Sequence, residues 1–231
     1  MITTDPKILG LAFLGGMVPA LLWLWFWLKQ EEKRKEPSTM ITAVFILGML
    51  AVIVTIPIQK YLHTLMTSSE AEIVLWAAAE ELLKLLAVMV LLYRNKEIDQ
   101  PIDWAIYFVT VGLGFAALEN ALFLITPLSL GQDTVTLLTG SLRYLGSTLL
   151  HGVTSGLIGI GLGLSFFMSK SWKKIYLLGG IVFATGLHSI FNFFIIKNDG
   201  ADFLRVFAFL WVVTVVVMLL FEKVRRMSGE H

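Results

Sequence analysis

Seven apolar runs of roughly 20 residues or more leave this chain few folds to choose from. They lie at 8–28, 40–59, 71–93, 102–126, 138–168, 174–197 and 203–221. A run of that length can cross the hydrocarbon core of a bilayer as one helix. Only 15% of the residues are charged, whereas soluble domains carry about 25%. The sequence therefore predicts an all-α, polytopic membrane helix bundle with about seven transmembrane helices.

The loops between the runs are short, and no repeat, low-complexity segment or soluble domain is visible. We therefore predict a single integral membrane domain over 1–231, in which any activity lies inside the bundle. The fifth run is long enough to hold a tilt or a short surface helix before the span itself. The chain has no cysteine, which excludes disulfides and metal sites with Cys ligands. A net charge of +1 without a long basic tract gives no indication of nucleic acid binding.

The distribution of Lys and Arg predicts the orientation in the cell membrane. Twelve lie on one side, at Lys29, Lys33, Arg34, Lys35, Arg94, Lys96, Lys170, Lys173, Lys174, Lys223, Arg225 and Arg226. Five lie on the other, at Lys7, Lys60, Arg143, Lys197 and Arg205. Because positive loops stay in the cytoplasm, the N-terminus is expected outside and the C-terminus inside.

Ionisable and amide side chains interrupt four of the apolar runs. Such groups cost about 2.5–3.5 kcal/mol each at membrane depth and are functional candidates by default. They are Glu80, Glu81 and Lys84 in the third run, Glu119 and Asn120 in the fourth, Arg143 and His151 in the fifth, and His188 and Asn192 in the sixth.

Helical spacing groups these residues. Glu80 and Lys84 are i, i+4 and share a helix face, so we expect Lys84 to hold Glu80 ionised and oriented. Glu81 lies about 100° around the helix from Glu80. It is still i, i+3 from Lys84, so the ammonium can serve either carboxylate. His188 and Asn192 are also i, i+4 and form one polar stripe.

The polar residues also agree in depth. Counted along each helix at 1.5 Å per residue, Glu80, Glu119, His151 and His188 all lie roughly 10–18 Å below the outer surface. Each one alone has a structural explanation, such as a helix–helix hydrogen bond or a self-neutralised ion pair. Three carboxylates and two histidines at one depth exceed what a structural network requires.

A cluster of this composition suits hydrolysis of an acyl bond. Three carboxylates facing one cavity repel each other, and Lys84 offsets one of them. A second can stay protonated, or a bound cation can let all three remain ionised. A carboxylate beside a water molecule is suited to general-base work, and the histidines and Asn192 offer donors for an oxyanion.

The order of these motifs resembles a known family. EELLK has the form E-E-x-x-K, and DWAIYFVTVGLGFAALEN places an Asp, a Gly-rich stretch and F-x-x-x-E-N on the next span. His151 follows after a loop and an Arg, and GLHSIFNF has the form H-x-x-x-N-F. Over about residues 70–196, the set resembles the PrsW family of membrane proteases, which is distantly similar to the CAAX prenyl protease and bacteriocin-processing superfamily.

The resemblance implies a membrane-embedded endopeptidase that cleaves a membrane-anchored, single-span protein. The depth of the polar residues and the Lys and Arg count predict that the cut lies near the extracytoplasmic surface. In bacteria the resemblance implies a substrate like an anti-sigma factor. The catalytic core would span about 70–196. The implied catalytic residues are Glu80, Glu81, Glu119, His151, His188 and Asn192, supported by Lys84, Asn120 and Phe115.

One departure from the CAAX relatives bears on the mechanism. Where they have F-x-x-x-H, this chain has Phe115 and Glu119, so a carboxylate replaces an imidazole. PrsW-like proteins have been classed as metallopeptidases, whereas structural relatives are treated as metal-free glutamate proteases. A His₂Glu zinc set is available from Glu119, His151 and His188, with the EE pair supplying the base. The cofactor is therefore zinc or none, and we favour none because no H-E-x-x-H motif is present.

Two other classes of function remain open. Buried Glu, Lys and His residues also build proton relays, as in a proton- or cation-coupled transporter. Against a transporter, the runs show no inverted repeat with paired broken helices. A non-catalytic bundle that binds a partner helix is the third possibility. The identity of the substrate and the oligomeric state are not fixed by the sequence.

Overall fold

The computed structural model describes residues 4–30, 36–92, 98–131, 146–197 and 203–228. Within these ranges there are seven helices and no strand. They are α1 Pro6–Lys29, α2 Ser38–Leu65, α3 Ser69–Leu92, α4 Pro101–Ser129, α5 Ser147–Leu164, α6 Lys170–Lys197 and α7 Phe203–Ser228. Each helix corresponds to one predicted apolar run, so the predicted all-α bundle is confirmed.

The start of α4 shows how local sequence fixes a helix boundary. Pro101 occupies the first turn, where its missing N–H is not needed. The Asp103 carboxylate accepts hydrogen bonds from the backbone N–H groups of Asp99 at 2.9 Å and Gln100 at 2.7 Å. The Asp that opens this span in the sequence pattern therefore caps the helix.

The fifth predicted run, 138–168, is only partly covered by the structure. Helix α5 begins at Ser147. Residues 138–145, which include the predicted intramembrane Arg143, lie outside the described residues. The described part of this run is a single helix that ends at Leu164.

Six of the helices are long and apolar enough to cross a membrane, namely α1, α2, α4, α5, α6 and α7. Helix α3 is as long as α1, at 24 residues. It differs because Glu80, Glu81 and Lys84 lie in its middle. The prediction of a multi-pass membrane protein is confirmed. Helix α3 is the one whose charged residues lie in its middle.

Helices α4 and α5 form the centre of the bundle. In their most apolar stretches, 72% of α4 and 89% of α5 is buried, against 28% of α1 and of α7. A helix that is apolar on all sides packs in this way at the core of a protein. Helices α1, α2 and α5 all pack directly on α4, so the central pair is the frame that positions the polar residues.

A close approach of α4 to α5 depends on Gly112. A Cβ atom at this position would lie 2.3 Å from the carbonyl oxygen of His151, which is far inside van der Waals contact. The two backbones can therefore pack this closely only with glycine at position 112. This contact fixes the height of His151 on α5 relative to α4.

Gly112→Ala should therefore destabilise the bundle, because α4 and α5 would have to separate. Overpacking of this kind costs about 1–3 kcal/mol, and a lower melting temperature in detergent would report it. Gly186→Ala is the matched control on α6, since a Cβ there meets no atom within 4 Å. Equal melting temperatures for the two variants would contradict this description of the core.

Candidate active site

Four helices bring the predicted polar residues into one connected network. Helix α3 supplies Glu80, Glu81 and Lys84. Helices α4, α5 and α6 supply one residue each, in order Glu119, His151 and His188. All these side chains except Glu119 are buried. The rings of His151 and His188 lie edge to face with their centroids 5.0 Å apart.

The centre of the network is the ion pair between Glu81 and Lys84. Nζ of Lys84 donates to Oε1 of Glu81 at 2.8 Å, and neither side chain has any exposed surface. Oγ1 of Thr154 on α5 donates to the same oxygen at 3.0 Å. An ion pair without water is favourable only when such additional hydrogen bonds surround it.

The expectation that Lys84 holds Glu80 was wrong. The ammonium pairs with Glu81 instead, because both side chains point toward α5, where Thr154 and His151 complete their hydrogen bonds. Glu80 points toward α2, where Nε2 of Gln59 donates to its Oε1 at 2.8 Å. The rotation of about 100° between adjacent helical residues separates the two carboxylates.

His151 is held on both sides of its ring. Nζ of Lys84 lies 2.8 Å from Nδ1, and Oε2 of Glu119 lies 3.0 Å from Nε2. Because an ammonium only donates, Nδ1 accepts, and the ring proton is assigned to Nε2, which donates to Glu119. Phe115 supports this arrangement: its ring lies 4.5 Å from Nζ of Lys84 and 5.1 Å from the ring of His151.

His188 joins the two adjacent glutamates. Its Nδ1 lies 2.8 Å from Oε1 of Glu81, a carboxylate that can only accept, so the ring proton is assigned to Nδ1. The lone pair of Nε2 then faces Oε2 of Glu80 at 3.6 Å. Within the described residues, this buried oxygen has no hydrogen-bond partner. Two acceptors facing each other need a proton, a donating water or a cation between them.

A cavity of about 680 Å³ adjoins Glu80 and His188. It lies toward the C-terminal ends of α2, α4 and α6 and the N-terminal ends of α3 and α5, which we call the cavity side. Its polar lining residues include Gln59, Glu80, Glu119, Ser147, His151, His188 and Asn192, and Phe115 and Trp76 contribute to the apolar wall. The predicted Asn192 therefore faces the same space as Glu80.

Asn120 stands apart from the cavity lining. Its Nδ2 donates to Oγ1 of Thr148 on α5 at 2.8 Å, and both side chains are buried. This bond joins α4 to α5 just beside Glu119, whose Oε2 accepts from Ser147 at 3.2 Å. Asn120, which the sequence predicted as a supporting residue, thus makes an interhelical hydrogen bond.

Sequence reasoning missed Gln59 and Thr154. Gln59 is the last residue of the apolar run 40–59, where a polar side chain reads as the end of a span. Thr154 follows His151 by three residues, which places it on the same side of α5. That spacing was the one available sequence signal for a role of Thr154 in the site. The residue type alone gives none, since a helical threonine usually bonds its own backbone.

Among the residues that the structure describes, one group could hold a metal ion. Ligand atoms of Glu80, His151 and His188 all lie within 4.8 Å of one another. The structure thus places Glu80 in the set where the sequence suggested Glu119. The carboxylate of Glu81 on Nδ1 of His188 is the outer-shell partner typical of metal-binding imidazoles. The donor types and spacing fit a divalent ion, provided one ring nitrogen of His151 gives up its present hydrogen bond for the ion and the other nitrogen carries the ring proton.

Buried carboxylates and imidazoles at the base of a cavity within a helical membrane bundle are an arrangement that suits a membrane-embedded hydrolase. Residues 36–221 match the PrsW family of intramembrane metalloproteases. The chain belongs to this family and is an intramembrane protease. The family assignment favours proteolysis over the transporter and scaffold alternatives.

Three curated relatives carry the name Protease PrsW. The chain is 28% identical to the one from Geobacillus kaustophilus, over 80% of each chain. It is 29% identical to the one from Oceanobacillus iheyensis, over 86% of this chain and 90% of the relative. The relative from Bacillus subtilis is 26% identical over 85% of this chain and 89% of its own length. No solved structure matches the chain at a significant level.

Lys84→Met should strongly destabilise the protein, because the buried Glu81 would lose its counter-charge. Removing one partner of a buried ion pair costs about 3–5 kcal/mol, measurable as the free energy of unfolding in an SDS titration. The double variant Glu81→Gln/Lys84→Met should recover part of that loss. Lys60→Met, at an exposed lysine of α2, is the control. A Lys84→Met protein as stable as Lys60→Met would show that the ion pair is not the centre of the network.

Proposed function

We propose that this protease cleaves a peptide bond of a membrane-anchored protein with water activated by Glu80. The observation that supports the assignment is that Glu80, although largely buried, lines the cavity and keeps one oxygen, Oε2, without a hydrogen-bond partner among the described residues. Glu81 also has an unpaired oxygen, but its Oε1 is occupied by three donors and it does not line the cavity. Glu80 is therefore the base, and Glu81 is a positioning residue.

The hydrolytic water would lie beside the pair of Glu80 Oε2 and His188 Nε2, on its cavity face, within hydrogen-bond distance of both atoms, which are 3.6 Å apart. Both atoms accept, so the water donates both hydrogens and turns a lone pair toward the substrate carbonyl. As the oxygen attacks, Glu80 takes one proton and the new C–O bond forms. Glu80 then gives that proton to the amide nitrogen, and the C–N bond breaks.

Asn192 is the proposed donor to the oxyanion. It lines the same cavity as Glu80, lies one turn from His188, and its amide carries two donors. Removal of one such donor costs about 10²–10³ in rate in other hydrolases. His151 and Glu119 then position the substrate and the water from the opposite wall, through the hydrogen bond between them.

The family description as metalloproteases adds a metal-dependent alternative, in which Glu80 is a ligand rather than the base. Glu80, His151 and His188 would hold the ion, and a bound zinc would supply Lewis-acid polarisation of the scissile carbonyl. In this form Glu81 keeps its role, since its contact with His188 orients the ring. Asn192 and the cavity wall bind the substrate in either form.

The orientation of the bundle in the membrane indicates the side on which the substrate is cut. The excess of Lys and Arg on the opposite ends of the helices supports an extracytoplasmic cavity side, with the N-terminus outside and the C-terminus in the cytoplasm. The scissile bond would then lie at or just below the outer surface of a single-span protein. An anti-sigma-factor-like protein is the substrate class that the family resemblance suggests.

Glu80→Gln should abolish cleavage while the protein still inserts, because loss of a general base costs about 10²–10⁴ in rate. The chain is expressed in bacterial membranes, and new N-termini in single-span proteins are compared by mass spectrometry between wild type and variant. Glu70→Gln, at an exposed carboxylate of the same helix, is the control. Glu81→Gln should also lose activity, because His188 and Lys84 lose their common acceptor.

Products that persist at the wild-type level in Glu80→Gln would contradict the proposed base, and products that persist in both Glu80→Gln and Glu81→Gln would contradict the proposed site. A cut near the cytoplasmic end of the substrate would contradict the assigned side. The same comparison identifies a cleaved single-span protein, which becomes the reporter for further measurements.

Chelation separates the two forms of the mechanism. If Glu80, His151 and His188 hold zinc, the purified active protein should contain about one equivalent, and a strong chelator should stop cleavage of the reporter reversibly. The metal-free form predicts active protein without bound transition metal and no effect of chelators. Elemental analysis of the same preparation that is assayed decides between them.

A further inference from the structure

The residues that line the active cavity differ in their exposure. Among the lining residues that the structure describes, the exposed ones are Ile56 on α2 and Leu122, Phe123 and Thr126 on α4. The described lining residues of α3, α5 and α6 are buried or half-buried. The cavity therefore reaches the surface of the bundle between α2 and α4.

The rim of this opening is apolar, so we expect it to face lipid. Ile56, Leu122 and Phe123, which we call the α2–α4 rim, are apolar and 39%, 38% and 53% exposed. Leu122 and Phe123 lie within the apolar run 102–126 and precede the end of α4 at Ser129. At 1.5 Å per residue they lie about 10 Å before that end. A side opening with an apolar rim at this depth suits an apolar segment that arrives within the membrane.

Nearer the opposite side of the membrane, α2 and α4 are locked together. A Cβ at Gly48 would lie 2.2 Å from the carbonyl oxygen of Val111, and one at Gly114 would lie 2.1 Å from that of Phe45. The two backbones are thus in direct contact there. Ile56 and Leu122 each follow these glycines by about two turns, so the helices can part only on the cavity side.

Helix α2 has a weak point at the level of the rim. Pro57 lies inside the helix and has no N–H, so the carbonyl of Ile53 loses its helical partner. Prolines are the commonest place for a helix to bend. Beyond Pro57, the bond from Gln59 to Glu80 at 2.8 Å holds α2 against α3. An outward movement of the end of α2 would exchange this bond for contacts with the substrate.

We propose that the transmembrane segment of the substrate reaches Glu80 sideways from the bilayer, through the α2–α4 rim, with α2 bending at Pro57. The inference rests on the proposed function and adds the route and the physical form of the partner. The partner is an apolar membrane helix, because the rim is apolar and continuous with the catalytic cavity. Its carbonyls become accessible only after local unwinding, which the polar residues of the cavity can compensate.

The absence of native cysteine allows a direct test. The double variant Ile56→Cys/Leu122→Cys is treated with a short bifunctional thiol reagent that forms reducible disulfides, and mass spectrometry confirms the bridge. Cleavage of the reporter found in the comparison with Glu80→Gln should fall at least about 10-fold and return on reduction. Each single-cysteine variant, treated with the same reagent, measures the effect of the substitution and of the reagent itself. The fall in cleavage is counted relative to these single variants, in which α2 and α4 remain free to part.

A bridge across a different helix boundary is the matched control. Val74→Cys on α3 and Phe194→Cys on α6 join two helices of the cavity wall that lie outside the α2–α4 rim. Bridged Ile56→Cys/Leu122→Cys protein that cleaves at the unbridged rate would overturn the proposed route. So would loss of activity only on bridging α3 to α6. Either result leaves cleavage by untreated wild-type protein, and hence the proposed function, intact.

A second measurement does not depend on bridge formation. A photoreactive amino acid replaces Phe123 in the Glu80→Gln protein, which retains the uncleaved reporter. We expect a crosslink to the transmembrane segment of the reporter. The same replacement at Phe183, a 72% exposed residue of α6 outside the cavity lining, should give none. A reporter crosslink at position 183 without one at position 123 would contradict the route.

Discussion

The constraint on which the rest of the structure depends is the burial of ions in an apolar bundle. Lys84 and Glu81 have no contact with solvent, and an unpaired ion in such surroundings costs several kcal/mol. Their mutual bond is therefore supplemented by Thr154, His151 and His188. These partners belong to α5 and α6, so the ion pair also fixes where α3 sits against its neighbours.

The same constraint gives the two adjacent glutamates, Glu80 and Glu81, different surroundings. The carboxylate directed into the ion pair is surrounded by donors and holds His188 in one orientation. The carboxylate directed into the cavity keeps one oxygen without a partner among the described residues. A catalytic group is effective when the residues around it are locked by packing and hydrogen bonds. Here the central helices α4 and α5 provide that rigidity, and Glu80 is the reactive group in the proposed mechanism.

Length, period and depth were readable from the sequence, because each is a local property of the chain. The apolar runs predicted the helices, since a bilayer requires about 20 residues for each span. Regular rise along a helix placed Glu119, His151 and His188 at one level, and the structure joins them in one network. Motif order also indicated the family, which the match over residues 36–221 confirms.

Only the tertiary structure decided which partners these residues choose. Lys84 reaches both glutamates by helical spacing, and it bonds Glu81 because α5 packs on that face. Gln59 reaches Glu80 because α2 packs beside α3, a contact between helices that no local pattern encodes. For the same reason Glu80, rather than Glu119, joins the two imidazoles. The sequence by itself determined which side chains lie within the apolar helices and at which common level along them. The packing of distant helices determined which way they face, because a rotation of about 100° per residue separates neighbours that are equivalent in composition.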